Sequence, residues 1–184
     1  MQSLFWERGY EGVTLADLVE VTGLASARLY AAFGSKEQMF RESVQLYEAG
    51  EGGFADRALA KEATITEALQ RMLLDAIDVY TRPGPRGCLV VTAATNCTVE
   101  HQQLQAWLAD HRRQRTRSII HRLRQAVVDG ELAPDTDTTS LGQAFATFLN
   151  GLSTQARDGV STRQLRQTVP TALTMLHAPP ARRR

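Results

Sequence analysis

Apolar residues along the chain follow helical spacing, so that one face of each segment is hydrophobic and the other polar. No segment shows sustained two-residue alternation with β-branched enrichment, the pattern of a strand. The pattern therefore indicates an all-α protein. It predicts helices over residues 2–8, 15–22, 26–33, 36–49, 65–81, 87–96, 99–129, 138–157 and 162–177.

Several predicted helix starts carry a hydroxyl residue followed three positions later by an acid or amide. Such a pair can form a capping box, in which the two side chains satisfy amide donors at the helix start. The pairs are Thr14 with Asp17, Ser35 with Gln38, Thr64 with Glu67, and Ser161 with Gln164. Glycine adopts the left-handed conformation cheaply, and Gly23, Gly130 and Gly159 fall where helices should end.

A glycine-rich stretch at residues 50–53 separates short predicted helices from longer ones. We place the domain boundary there, with an N-terminal domain over residues 1–48 and a larger domain over residues 49–178. Residues 179–184 are expected to form a frayed tail. A chain of 184 residues is long enough to bury a sizeable core.

Composition places the chain among ordinary globular proteins, with 43% hydrophobic and 22% charged residues. The net charge of +1 gives no indication of a polyanionic partner. No apolar run approaches the roughly 18 residues of a membrane span, and no secretory signal is visible, so we expect a cytoplasmic protein without membrane contact. Cys88 and Cys97 are then expected to be reduced thiols.

Candidate catalytic and metal chemistry is sparse. His101, His111 and His121 are ten residues apart, which does not align them on one helix face. We find no Ser-His-Asp order, no G-x-S-x-G and no phosphate-binding glycine loop. The sequence therefore predicts no enzyme, no cofactor and no metal site.

Residues 15–33 have the pattern of two short helices around a tight turn at Gly23. The inner stripe of the first helix is formed by Leu15, Leu18 and Val19, and that of the second by Leu29 and Phe33. This is a helix-turn-helix arrangement, whose second helix enters the major groove of DNA.

The outer face of the second helix suits close approach to DNA. With the apolar stripe inward, Ala27 and Ala31 point outward, and Arg28 and Tyr30 flank them. Arg28 could pair with guanine and Tyr30 could donate to a phosphate. The alternative is that the alanines reflect helix propensity and that Arg28 is merely solvated.

Residues 4–40, "LFWERGYEGVTLADLVEVTGLASARLYAAFGSKEQMF", resemble the DNA-binding domain of the TetR (tetracycline repressor-like) regulators. The matching features are an F-x-x-x-G-Y-x-x-x-T entry beginning at Phe5, the turn glycine Gly23, and an L-Y-x-x-F-x-S-K-E exit beginning at Leu29. The resemblance implies a three-helix head joined to a larger helical ligand-binding and dimerisation domain.

The resemblance also implies roles for individual residues. Thr14 would cap the second helix and contact a phosphate, and Tyr30 and Lys36 would contact phosphates as well. The residues that would face or flank bases are Ala25, Ser26, Ala27, Arg28 and Ala31.

The head departs from the family pattern in several ways. The chain begins within the first helix of the family, so we expect that helix to be incomplete. Residues 1–48 hold four basic and seven acidic residues. Val19 stands where the family favours alanine. Ala25 stands where a serine often caps the recognition helix, a change worth about 1 kcal/mol. Ser26 could cap one residue later.

The larger domain resembles the family less closely. Residues 85–96 and 129–137 are similar to segments of one branch of TetR-like proteins. Broad apolar stripes on 138–157 and 162–177 suit a four-helix bundle across a twofold axis. The alternative is that they close the core of the monomer. The candidate interface residues are Leu141, Phe148, Leu152, Leu165, Val169 and Leu173.

Isolated polar or aromatic groups on apolar faces suggest a ligand pocket, although simple core packing is the alternative for each residue. The candidates are Leu69, Met72, Leu73, Ile77, Tyr80, Cys97, Trp107, His111 and Phe145. The basic run at residues 111–117 is interpreted as a solvated face or as inter-helix salt bridges rather than a nucleic-acid patch.

The leading hypothesis is a ligand-responsive transcriptional regulator, a repressor that binds a palindromic operator in double-stranded DNA as a homodimer. Two recognition helices must lie about 34 Å apart to reach successive major grooves, and a small-molecule effector would change that separation. The alternative is a ligand-binding helical dimer whose DNA binding is impaired or lost.

Overall fold

The structure is a computed structural model that describes residues 1–84, 86–95 and 101–177. Within these residues it contains ten α-helices and no strand, which confirms the predicted all-α class. Short 3-10 turns lie at Glu51–Gly53 and Thr174–His177. The helices are α1 Gln2–Arg8, α2 Leu15–Thr22, α3 Ser26–Phe33, α4 Lys36–Ala49, α5 Phe54–Lys61, α6 Ile65–Thr81, α7 Leu89–Thr95, α8 Gln102–Val128, α9 Thr138–Arg157 and α10 Thr162–Leu173.

The capping chemistry sets most of these starts. Thr14, Thr64 and Ser161 each form the complete predicted capping box. Ser35 accepts a hydrogen bond from the Gln38 amide at 3.0 Å. The Gln38 side chain instead donates to Glu42 at 3.2 Å, so the fourth box is not closed.

The prediction missed α5 altogether. Its buried residues Phe54, Ala55, Ala58 and Leu59 form a short helical stripe. The preceding glycines resembled a domain boundary, and the helix begins at Gly53 without a side-chain cap, so the usual start signal is absent.

Some helix ends also differ from the prediction. The helix predicted over residues 87–96 begins at Leu89, and residue 96 lies outside the described residues. The described part of α8 begins at Gln102, and residues 99 and 100 lie outside the described residues. The last α-helix ends at Leu173 and continues only as a 3-10 turn. Pro170, which has no amide hydrogen to donate, precedes this change.

The body of the protein, α5–α10, is built around α6, which packs against α5, α9 and α10. The long helix α8 covers α5, α7 and α9. Leu69, Met72, Leu73, Ile77 and Phe145 are fully buried where these helices meet. No helix in the described ranges is long and apolar enough to cross a membrane.

The head, α1–α4, is tied to the body through α1, which packs on α4 and α7. The Trp6 indole N–H donates to the Gly87 carbonyl at 2.9 Å, and its ring meets Tyr47 edge to face. Gly87 has φ 76°, and a Cβ there would lie 2.8 Å from the Ser153 carbonyl oxygen. The next amide, of Cys88, donates to the Ser153 hydroxyl at 2.7 Å. Glycine is therefore required where head and body meet.

Candidate functional site

The start of α2 is fixed by a closed hydrogen-bond ring. The Thr14 amide and hydroxyl donate to one Asp17 carboxylate oxygen at 2.7 and 2.6 Å, and the Asp17 amide donates to the Thr14 hydroxyl at 3.2 Å. Arg8 pairs with the other Asp17 oxygen at 3.0 Å. The Thr14 hydroxyl is the main cause that lowers the pKa of Asp17. The predicted cap is confirmed, while a phosphate contact by Thr14 remains a prediction.

The turn between α2 and α3 follows from Gly23 and from two buried leucines. Gly23 has φ 67° and its amide donates to the Val19 carbonyl at 2.9 Å. Leu18 and Leu29 are completely buried and lock α2 against α3. This geometry is that of a helix-turn-helix with α3 as its outer helix.

The predicted recognition face is on the surface. Its members on α3 and just before it are all exposed: Ala25, Ser26, Ala27, Arg28, Tyr30 and Ala31. Tyr30 is 44% exposed, which is unusual for a large ring. The structure therefore brings these side chains together on one outward surface, and their contacts with bases remain a prediction.

One expectation about α3 was wrong. Ala25, not Ser26, is the capping residue, and it supplies no side-chain hydrogen bond. Ser26 is the first residue of the helix and not its cap, because the amides of Arg28 and Leu29 donate to the carbonyl of Ala25. The first turn of α3 thus lacks a side-chain cap.

Lys36 begins α4, but its ammonium is half-buried rather than fully solvated. The Lys36 nitrogen lies 4.5 Å from the centre of the Tyr10 ring. Burial lowers the pKa of Lys36, against the opposing attraction of Glu11 and Asp17. The head thus holds the Lys36 cation over the Tyr10 ring, within the attraction of Glu11 and Asp17.

Most of the predicted pocket residues belong to the closed core. Each is nearly or completely buried, because their apolar faces pack against one another across α6 and α9: Leu69, Met72, Leu73, Ile77, Tyr80 and Phe145. Their role as pocket lining remains a prediction. Cys97 lies outside the described residues.

The remaining two pocket candidates connect α8 to the head. The Arg41 guanidinium lies 4.6 Å from the centre of the Trp107 ring, and that ring meets His111 at 4.2 Å. The His111 Nδ1 lies 2.6 Å from a Glu48 carboxylate oxygen. Trp107 and His111 therefore link α8 to α4.

Sequence reasoning missed a set of polar side chains inside the body, which we name the buried polar cluster: Tyr47, Tyr80, Cys88 and Arg115. Burial raises the pKa of both tyrosines well above the ordinary range, and the neighbouring Cys88 acts in the same direction. Both phenols are therefore protonated donors. The one sequence feature that pointed to this cluster is the position of Arg115, which lies four residues after the pocket candidate His111 and therefore on the same helix face.

Arg115 is surrounded by weak partners. Its guanidinium donates to the Gly52 carbonyl at 3.3 Å and to the Cys88 sulfur at 3.9 Å, and lies 3.8 Å from Glu48. Burial alone would lower the pKa of Arg115, but electrostatic attraction, to which the Glu48 carboxylate contributes, outweighs it and raises the pKa. The arginine therefore stays charged inside the fold.

Among the open grooves on the surface of the body are one beside α5 and one along α9. One, of about 550 Å³, runs between α5 and α8 past Leu59 and His121. The other, of about 660 Å³, lies along α9 beside Phe148 and Met175. Within the described ranges, no cluster of three or more potential metal ligands occurs.

The six candidate interface residues divide by burial. Leu152, Leu165 and Val169 are buried inside the protomer and offer no area to a partner. Leu141, Phe148 and Leu173 are only partly buried against the core. An interface on α9 and α10 thus remains a prediction, for which Leu141, Phe148 and Leu173 are available.

The outward recognition helix, the capped α2 and the helical body define a helix-turn-helix regulator. Family profiles agree: residues 2–43 match "Bacterial regulatory proteins, tetR family" and residues 51–173 match "Tetracyclin repressor-like, C-terminal domain". The chain belongs to the TetR family, and it is a DNA-binding transcriptional regulator.

Among its relatives, the transcriptional repressor ComR of Escherichia coli is 31% identical over 92% of this chain and 82% of ComR. The repressor BdcR of the same organism is 28% identical over 92% of this chain and 81% of BdcR. A structure of a cysteine mutant of the regulator CifR with 26-bp operator DNA is 39% identical, has a TM-score of 0.90, and covers 94% of this chain and 91% of that one.

Proposed function

We propose that the protein is a repressor that binds a palindromic operator as a homodimer and is released by a small molecule bound in its body. The observation that carries this proposal is the exposed face of α3, where small alanines are flanked by Arg28 and Tyr30. Two solved complexes of CifR with operator DNA support it, because that protein is similar along nearly the whole chain.

Arg28 is the residue best suited to read a base. Of the four basic residues in the head, Arg8 and Arg41 are held by Asp17 and Glu37, at 3.0 and 2.7 Å. Arg28 extends from the exposed face of α3. A bidentate contact between an arginine and guanine discriminates between bases by about 1–3 kcal/mol.

The DNA-binding test uses the DNA upstream of the gene and the full-length chain, with retardation measured over a range of salt. Arg28→Ala should weaken specific binding by about 5- to 150-fold, the equivalent of that base discrimination. Arg124→Ala is the matched control, since Arg124 is exposed on α8. Binding that is indifferent to sequence, or equal loss in both variants, would contradict the proposal.

The acidic balance of residues 1–48 favours the second candidate, a ligand-binding dimer with impaired DNA binding. DNA affinity depends on neutralised phosphates, and the head offers few cations. A folded, ligand-binding protein that retards no DNA under low salt would select this candidate.

We further propose that residues 1–48 act as the DNA-binding domain and residues 49–178 as the ligand-binding and dimerisation domain, with a tail at 179–184. The two family profiles support this division, since they match on either side of it. The protein would act in the cytoplasm and catalyse no reaction.

The proposed dimer would use the outer faces of α9 and α10. Phe148 is partly exposed and lines the groove along α9, which makes it available to that surface. Equilibrium sedimentation should show a dimer for the native chain and a folded monomer for Phe148→Asp. A native monomer at the concentrations that retard DNA would contradict the arrangement.

A further inference from the structure

We infer that the buried polar cluster binds a compact carboxylate, held by the Arg115 guanidinium and the Tyr47 hydroxyl. The inference rests on the proposed function, because it names the chemistry of the effector. It starts from two buried donors that are poorly satisfied by the described residues.

The first donor is Arg115. Its side chain is only 15% exposed, and its contacts with Gly52, Cys88 and Glu48 are all 3.3 Å or longer. Charge-assisted hydrogen bonds between nitrogen and a carboxylate are typically about 2.7–2.9 Å. The guanidinium therefore retains capacity for a closer anionic acceptor.

The second donor is the Tyr47 hydroxyl. It is buried, and no described atom forms a hydrogen bond of good geometry with it; the neighbouring Cys88 sulfur, a weak acceptor, interacts with it. Buried polar groups are nearly always hydrogen-bonded, so an unpartnered phenol is a position where a ligand can gain affinity. The phenol is protonated, as shown above, and hence can donate to an anion.

Gly52 brings these two donors into one place. Its carbonyl accepts from Arg115 at 3.3 Å, while its Cα packs against the Tyr47 ring. A Cβ on Gly52 would lie 2.3 Å from a Tyr47 ring carbon. The close approach that only glycine permits therefore keeps the phenol and the guanidinium around the same residue.

A carboxylate suits this pair better than water or a neutral ligand. One water could satisfy the Tyr47 hydroxyl, but it carries no charge, and the Glu48 carboxylate stays 3.8 Å from Arg115, beyond the distance of a close charge-assisted hydrogen bond. A carboxylate carries two oxygens and a negative charge, so it can accept from both donors. The ligand must be compact because Tyr80 of the cluster and the neighbouring Phe54 are buried and meet edge to face.

Occupation of this site would act on α4 through Glu48. Glu48 lies in the last turn of α4, with one oxygen 3.8 Å from Arg115 and the other 2.6 Å from His111. A carboxylate bound to Arg115 competes with Glu48 for the same cation. Since α4 begins directly after Gly34 and Ser35 at the end of α3, loosening its far end would reorient the recognition helix.

The test is calorimetry on the full chain with sodium acetate, butyrate and hexanoate, and with butyramide as the uncharged match to butyrate. At least one carboxylate should bind saturably, and butyramide should not. Tyr47→Phe should weaken binding about tenfold, and Arg115→Gln should abolish it. Glu48→Gln should strengthen it several-fold. Arg124→Gln, on the exposed face of α8, should have no effect.

Failure of all three carboxylates to bind overturns the inference, as does equal binding of butyramide or unchanged binding by Tyr47→Phe. If Arg115→Gln does not fold, Arg115→Lys is used in its place, because it keeps the positive charge. Carboxylate binding by Arg115→Lys should still be at least tenfold weaker, because an ammonium lacks the planar pair of donors that a guanidinium offers to a carboxylate. DNA retardation is measured separately. A protein that retards DNA but binds no carboxylate refutes only this inference, and one with the opposite behaviour refutes only the proposed repressor.

Discussion

Replacement of Trp6 by phenylalanine should destabilise the whole protein, because Trp6 joins the head to the body. The change removes the indole donor that bonds the buried Gly87 carbonyl at 2.9 Å, which costs about 1–3 kcal/mol. The smaller ring also leaves a void beside Tyr47, at about 1 kcal/mol or more. The stacking of Arg82 on the ring, at 4.8 Å, is partly kept by phenylalanine. The expected loss is about 2–4 kcal/mol.

Urea unfolding followed by circular dichroism measures this loss. Trp107→Phe is the matched control, because Trp107 is the other tryptophan of the chain and is only partly buried. It should cost less than about 1 kcal/mol, as expected for a residue near the surface. It also leaves Trp6 as the single fluorescent reporter of the junction. A Trp6→Phe loss no larger than the Trp107→Phe loss would refute the reasoning.

Three further substitutions test other contacts. Thr14→Ala should cost about 1 kcal/mol at neutral pH. Because the folded pKa of Asp17 is lowered, the contribution of its pair with Thr14 is present at neutral pH and is lost as pH falls through the folded pKa. Urea curves near pH 3 should therefore show a smaller difference, and an equal one would contradict this. Gly87→Ala should cost more than Gly130→Ala in thermal unfolding, by about 1–3 kcal/mol, since both have φ 76° but only Gly87 has a close neighbour. Equal costs would mean that the backbone relaxes.

The helical class and most helix starts could be predicted, because they depend on local signals. A threonine or serine three residues before an acid or amide can close a capping box without help from distant residues, as Thr14 and Ser161 show. The short helix α5 has no such signal, since it begins at Gly53 and is held in place by packing against α6. Tertiary packing, which a single sequence does not display, therefore decided that segment.

The exposed face of α3 was predictable for the same reason, since helical spacing alone fixes which residues oppose Leu29. The buried polar cluster was not predictable, because Tyr47, Cys88 and Arg115 come from three separate parts of the chain. Hydrophobic patterning identifies the core but cannot show which polar group is drawn into it. The basic run around Arg115 was interpreted as a solvated face or as inter-helix salt bridges, and Arg115 is mostly buried and forms an inter-helix salt bridge with Glu48 at 3.8 Å.

The bond between Trp6 and Gly87 also bears on how the chain is made. A ribosome completes α1–α4 long before it reaches Gly87, and Ser153, which positions that loop, follows much later. Until then the indole of the newly made head has neither its acceptor nor its full covering. Contacts so distant in sequence form late, and exposed apolar surface in such intermediates promotes aggregation. The nascent head should therefore depend on chaperones until the body is synthesised, so codon changes that slow translation between these residues should lower the soluble yield.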